Sequence, residues 1–174
     1  MANDEFSERI PVPITEADQR GLDELYVQLE CGDNNQRAEV LELLHLAQIK
    51  SGRDITAQAM PKFLAILQNP EDPILCQAVF FLIAWGARAF GTEGMKEALI
   101  AATQNADPDV VFHAVNILTY CPDDDVTKLL GQIAKIGPNK HTQEKAFHSY
   151  MLRIMPPDAP PSGGGSSRPA GPGP

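Results

Sequence analysis

The feature that most constrains this chain is an internal repeat written in helical spacing. Gln68-Asn69 returns as Gln104-Asn105 and Ala78-Val79 as Ala114-Val115, both at an offset of 36 residues, and Leu82 returns as Leu118. Weaker copies place Ala38 40 residues before Ala78 and Ala146 32 residues after Ala114. The implied unit is one helix, a turn rich in Asn and Asp, and a second helix with a small Ala turned toward its neighbour. A single helical pair cannot bury both of its faces, so such units must stack to create a continuous core. Four of them cover residues 15–155.

Apolar residues recur at helical intervals, and no alternating β-branched runs compete with them. The pattern predicts eight helices: Leu22 to Leu29, Arg37 to Ile49, Met60 to Leu67, Ile74 to Phe90, Met95 to Ala102, Val110 to Tyr120, Val126 to Ile136 and Thr142 to Met155. The fourth is apolar almost all round (Val79, Phe80, Phe81, Leu82, Ile83, Trp85) and is expected at the centre of the stack, with Trp85 in the core. Capping chemistry marks the breaks. Thr15 and Asp18 form a capping-box pattern, in which each side chain can satisfy an orphan backbone donor. Asp72-Pro73 and Asp107-Pro108 each read as an N-cap followed by Pro at the first helical position. Thr92 and Asp125 are further N-cap candidates, and Gly137-Pro138 is a stop.

Composition enters at the ends. Residues 156–174 hold 7 of the 15 prolines and 5 of the 13 glycines, with no aromatic or large aliphatic residue. This tail has nothing to bury and is expected to be disordered, and residues 1–14 are expected to form an extended arm. Three cysteines, Cys31, Cys76 and Cys121, have no CxxC spacing and read as reduced thiols. The first eight residues contain three acids and no apolar core of a signal peptide. The charge-free stretch Pro73 to Ala87 is shorter than the ~20 residues that cross a bilayer. The expected location is therefore cytoplasmic.

The net charge of −9 is unevenly spread. Residues 1–72 carry 14 acids against 6 bases, residues 107–125 carry five acids and no base, and residues 126–155 carry five bases against one acid. An acidic field repels phosphate backbones and anionic lipid heads and attracts basic proteins. Nucleic acid and membrane are accordingly not expected as partners.

Met60-Pro61-Lys62-Phe63-Leu64-Ala65-Ile66-Leu67, then Asn69-Pro70-Glu71-Asp72-Pro73-Ile74, then Ala78 and Leu82, resembles a HEAT repeat, within the armadillo/HEAT type of helical repeats. The unit from Leu99 through Leu118 is similar, and the first and fourth units match in outline. The resemblance implies an all-α fold, a short right-handed α-solenoid of about four helical hairpins that binds other macromolecules through extended surfaces. Many HEAT repeats pair a turn Asp with an Arg in a neighbouring unit. Here Asn69 and Asn105 open the turns, and Leu75 and Val111 stand where that Arg would be expected.

Acidic turns at Asp33, at Glu71 and Asp72, and at Asp107 and Asp109 are expected along one edge of the stack. Asp123, Asp124 and Asp125 fall on the other. Helix capping accounts for Asp72, Asp107 and Asp125. Glu71, Asp109, Asp123 and Asp124 exceed that need and are the candidate ridge for docking Lys and Arg of a partner. His141, Glu144 and His148 share one helical face and could hold a divalent metal only with converging ligands from another helix, because a single helix spreads ligands i and i+7 about 10 Å apart. No metal or other cofactor is expected. The chain contains no GxSxG, P-loop, HExxH or GxGxxG pattern. The glycines between Gly86 and Gly94 read as a loop. The basic run of the last unit, Lys128, Lys135, Lys140 and Lys145, reads as a solvated face or a second contact region.

Together these features describe a non-enzymatic protein–protein interaction module. Its most specific form is an acidic inhibitor of the immunity-protein type, or an adaptor, that binds a basic partner protein. The alternative is a HEAT-like chaperone or lyase-type helper holding a cofactor or client chain, and a metal-dependent enzyme centred on His141, Glu144 and His148 stands behind both.

Overall fold

The computed structural model describes residues 15–50 and 54–155; the expected arm at 1–14 and tail at 156–174 lie outside the described residues. The described chain is all-α. It comprises α1 (Glu16–Cys31), α2 (Asn34–Lys50), α3 (Thr56–Leu67), α4 (Leu75–Phe81), α5 (Met95–Ala102), α6 (Pro108–Leu118), α7 (Asp124–Ile136) and α8 (Lys140–Ile154). Two 3-10 segments, Leu82–Ala84 and Gly86–Gly91, follow α4.

Local chemistry sets most of the helix ends. Thr15 and Asp18 form a complete capping box at α1, the Asp18 N–H donating to Thr15 Oγ1 and the Thr15 N–H to the Asp18 carboxylate. Asp107 caps α6 by accepting from the Asp109 N–H at 2.9 Å, with Pro108 at the first helical position. Asp72 accepts from the Ile74 N–H at 3.1 Å and so turns the chain into α4. Gly137 ends α7. Three expected caps are corrected. The N-cap of α4 is Ile74, without a side-chain bond, so Asp72 and Pro73 lie in the turn before the helix. The N-cap of α5 is Gly94, in the left-handed region at φ 84°, rather than Thr92. That of α7 is Asp123, so Asp125 falls inside the first turn.

The fourth helix is also shorter than its apolar run predicts. The α-helix stops at Phe81, and 3-10 bonds take over, with Trp85 N–H donating to Leu82 O and Arg88 N–H to Trp85 O. Gly86 then adopts φ 51°, a conformation that side-chain-bearing residues rarely enter. An unbroken apolar run cannot distinguish α from 3-10 geometry, because both bury residues on the inward side. The break still delivers Trp85 to the core, its ring edge-on to Phe63 with centroids 5.0 Å apart.

Packing joins consecutive helices and also alternate ones. The pairs α1–α2, α3–α4, α5–α6 and α7–α8 are in contact, α2, α4, α6 and α8 touch in series, and α3 touches α5. The repeated alanines explain the close approach of the even-numbered helices: Ala78, Ala114 and Ala146 are completely buried. Around them, Leu41, Leu44, Phe63, Val79, Leu82, Leu99, Val115, Leu118 and Leu130 build one core running through all four helix pairs.

Two arginines tie the units together from positions that the repeat pattern does not mark. Arg37 of α2 donates to Leu29 O at the end of α1 and to the Asp72 carboxylate at 2.7 Å, in the turn before α4. Both partners of this ion pair are largely buried. Arg153 of α8 donates to the carbonyls of Leu118, Thr119 and Cys121 at the end of α6 and to Thr127 Oγ1 of α7. Cross-unit polar ties therefore exist despite Leu75 and Val111, because Arg37 approaches Asp72 from the preceding hairpin.

Candidate functional site

A continuous chain of ring contacts crosses the even-numbered helices, with Phe80 and His141 exposed and His45, Phe81, Phe112 and His113 half-buried. His45 of α2 lies 5.0 Å from Phe81 of α4, and Phe81 lies 5.1 Å from Phe80. Phe80 meets His113 of α6 edge-on at 5.1 Å, and Phe112 stacks on His141 of α8 at 4.3 Å. Phe112 and His113 are 5.5 Å apart and close the chain of contacts. Six rings on four helices thus form one chain of contacts that reaches the surface at Phe80 and His141. Phe80 is 44% exposed although it belongs to the most apolar segment of the sequence.

Helical spacing puts an acid beside this strip. Asp109, Phe112, His113 and Asn116 fall at i, i+3, i+4 and i+7 on the side of α6 opposite the buried Val110, Ala114 and Leu118. The field of Asp107 and Asp109 reaches His113 on α6 and Cys76 on α4. Burial lowers the His113 pKa from the usual histidine value, and the two aspartates oppose that shift without cancelling it. Burial, followed by the same two carboxylates, raises the Cys76 thiol pKa. The Nδ1 atoms of His45 and His113 are buried without a hydrogen-bond partner among the described residues. An aromatic face beside a carboxylate can hold a cation, the ring quadrupole and the carboxylate attracting the same charge.

The four ridge residues are divided between two places. Glu71 and Asp109 are exposed at the turns that open α4 and α6, and Asn105 Nδ2 donates to Pro70 O to hold those turns together. Asp123 and Asp124 lie at the start of α7, where Lys96 of α5 donates to Asp123 at 2.7 Å and to Asp125 at 3.3 Å. Those carboxylates, Asp123 first, hold the Lys96 ammonium above the usual lysine range. Asp123 is accordingly engaged within the chain. Glu71, Asp109 and Asp124 have no ion pair among the described residues.

Among the described residues, no group of three His, Cys, Asp or Glu side chains has metal-binding geometry, the face of His141, Glu144 and His148 included. Instead His141 stacks on Phe112, and Glu144 lies 3.5 Å from Lys140. Cys31 is exposed, Cys76 half-buried and Cys121 buried, all three as thiols. Among the described residues no helix is long and apolar enough to cross a membrane.

Sequence reasoning missed the ring strip because, His45 and Phe81 apart, its members do not recur at the 36-residue period. Phe80 and Phe81 would be copied at Asn116 and Ile117, whereas the rings of α6 stand at 112 and 113, and they meet through helix packing. The available signal was the combination of aromatic and His residues on the polar faces of the second helix of each pair. Comparison with family models, with curated proteins and with solved structures found no match to this chain.

Proposed function

We propose that this chain is a non-enzymatic docking protein whose hairpins stack as a short right-handed HEAT-like α-solenoid. Its partner is a basic protein, held across the exposed faces of α2, α4, α6 and α8. An acidic inhibitor of the immunity type, or an adaptor, is the most specific form of this reading. The observation that carries it is the ring strip from His45 to His141 beside Asp109. Planar guanidinium groups stack on such rings while their charge meets the carboxylates. The serial contacts of the even-numbered helices and the completely buried alanines support the stacked arrangement.

Fluorescence anisotropy with a labelled arginine-rich peptide tests this directly. Binding should weaken steeply as salt rises, because charge attraction steers the encounter. Replacing Phe80 and Phe112 together by Ala should weaken it about five- to twentyfold, each exposed cation–ring contact accounting for about two- to fivefold. Asp109→Asn should weaken it further. Equal binding of an acidic peptide, or salt-independent binding, would overturn the reading. Capture from the native source with mass spectrometry then identifies the physiological partner.

A further inference from the structure

Two exposed surfaces on other helices, α7–α8 and α1, carry apolar side chains and differ in their prevailing charge. On α8, Phe147, Tyr150 and Ile154 form a stripe displaced from the buried Thr142, Ala146 and Ser149 and turned toward the α7 side. Phe147 is 55% exposed and Ile154 48% exposed. Gly131 of α7 allows this arrangement, since a Cβ there would lie 3.0 Å from the Tyr150 ring. Lys128, Lys135, Asp124, Gly131, Tyr150 and Ile154 help line a groove of about 450 Å3 between the two helices, two lysines to one carboxylate. Ile136, at the end of α7, is 82% exposed.

The complementary face is on α1. Leu22, Tyr26 and Leu29 are buried, which puts Glu24, Val27 and Cys31 on the opposite side of that helix. Val27 is 61% exposed. Glu24 has no ion pair among the described residues, and Glu39 and Glu42 of α2 are likewise unpaired and exposed. One end of the chain thus presents apolar surface where lysines outnumber Asp124, and the other presents Val27 where Glu16, Glu24 and the acids of α2 outnumber Arg20.

We infer that copies of this chain associate head to tail, the α7–α8 face of one docking on the α1 face of the next. The apolar stripes bury one another, while Lys128 and Lys135 meet Glu24 and the neighbouring acids of α2. Charge complementarity selects a second copy as the occupant, since each face supplies what the other needs. The Pro- and Gly-rich residues 156–174 contain no large apolar side chain with which to fill the groove. The contact uses different surfaces on its two sides, so it is heterologous and leaves a free face at each end of any assembly that does not close into a ring.

Sedimentation equilibrium of the full chain and of two blocked variants tests this inference. Wild-type chain should associate at low salt and dissociate as salt rises. Phe147→Glu with Ile154→Glu blocks one face, and Glu24→Lys with Val27→Lys blocks the other. Each doubly substituted variant alone should be monomeric, with the dissociation constant raised about tenfold or more. An equimolar mixture of the two should form a 1:1 dimer that cannot extend, because each variant keeps the face the other has lost. Circular dichroism verifies that the variants are folded. If the first variant loses helicity, Lys128→Glu with Lys135→Glu blocks the same face from exposed positions. A wild-type chain that stays monomeric to about 1 mM would overturn the inference. So would a blocked variant that associates like wild type, or a mixture that remains monomeric.

Discussion

Replacing Arg153 by Met removes a tie that no other described side chain can supply. The Nη2 atom donates to Leu118 O at 2.9 Å, Thr119 O at 3.0 Å and Cys121 O at 2.6 Å, and Nη1 donates to Thr127 Oγ1 at 3.0 Å. Met keeps much of the apolar stem but none of the donors. The carbonyls close the C-terminal end of α6, where the last turns of any helix lack intrahelical partners. Leu118 O retains a bond from the Cys121 N–H, so the net loss falls on Thr119, Cys121 and Thr127. Hydrogen bonds to a charged donor contribute about 1.5–3 kcal/mol each in isolation. Arg153 is partly exposed, and water can reach some of the abandoned carbonyls, so about 1 kcal/mol per lost bond is the appropriate scale. The expected destabilisation is then roughly 3 kcal/mol, or a melting temperature lower by about 6–12 °C for a chain of this size. Urea unfolding followed by Trp85 fluorescence measures it, because that single buried tryptophan is in the core and reports global loss of structure. Arg153→Lys should recover less than half of the loss, since an ammonium cannot reproduce the planar fork. A loss below about 0.5 kcal/mol for Arg153→Met, within the range of ordinary surface substitutions, would refute the reasoning.

Three other perturbations have defined outcomes. A double-mutant cycle on Arg37→Met and Asp72→Asn should give a coupling of about 1–3 kcal/mol in urea unfolding, above the typical exposed pair, because both side chains are largely buried; a coupling near zero would mean that the ion pair contributes nothing. Gly86→Ala should cost about 1–2 kcal/mol in thermal melting through backbone strain at φ 51°, as a Cβ there would make ordinary contact with Tyr120 at 3.6 Å. The third perturbation is acid. The folded His113 pKa lies below its unfolded value, so between the two the unfolded chain binds more protons. Its neutral, half-buried ring leaves stability intact above about pH 6.5, and that contribution is lost progressively as the pH falls toward the lower folded pKa. The melting temperature of His113→Asn should therefore decline less between pH 7.5 and 5.5 than that of wild type, and parallel declines would sink the assignment.

The contrast between Asp107 and Arg153 shows what could be read in advance. Asp107 caps α6 through a bond to Asp109, two residues away, and Pro108 enforces the same start. Arg153 reaches Leu118 across 35 residues, and no local rule specifies which carbonyls an arginine near a helix end will find. Asp123 shows the same limit for the candidate ridge. Its place in an acidic turn before α7 was legible, but not its position as the N-cap, and its engagement depends on Lys96, 27 residues earlier on α5. Phe80 was legible as apolar and not as exposed, because burial depends on where α2 and α6 approach α4.

By itself, the sequence determined that the chain is helical, where most helices begin and end, and which alanines lie between neighbours. Those properties arise from periodicity and capping, which act within a turn or two of the chain. Tertiary structure decided the rest: the 3-10 break after Phe81, the ring strip from His45 to His141, and the internal pairing of Asp123. It also decided the two exposed apolar surfaces that differ in prevailing charge. Each of these depends on how residues tens of positions apart come together, a distance over which side-chain chemistry leaves no spacing in the sequence to read.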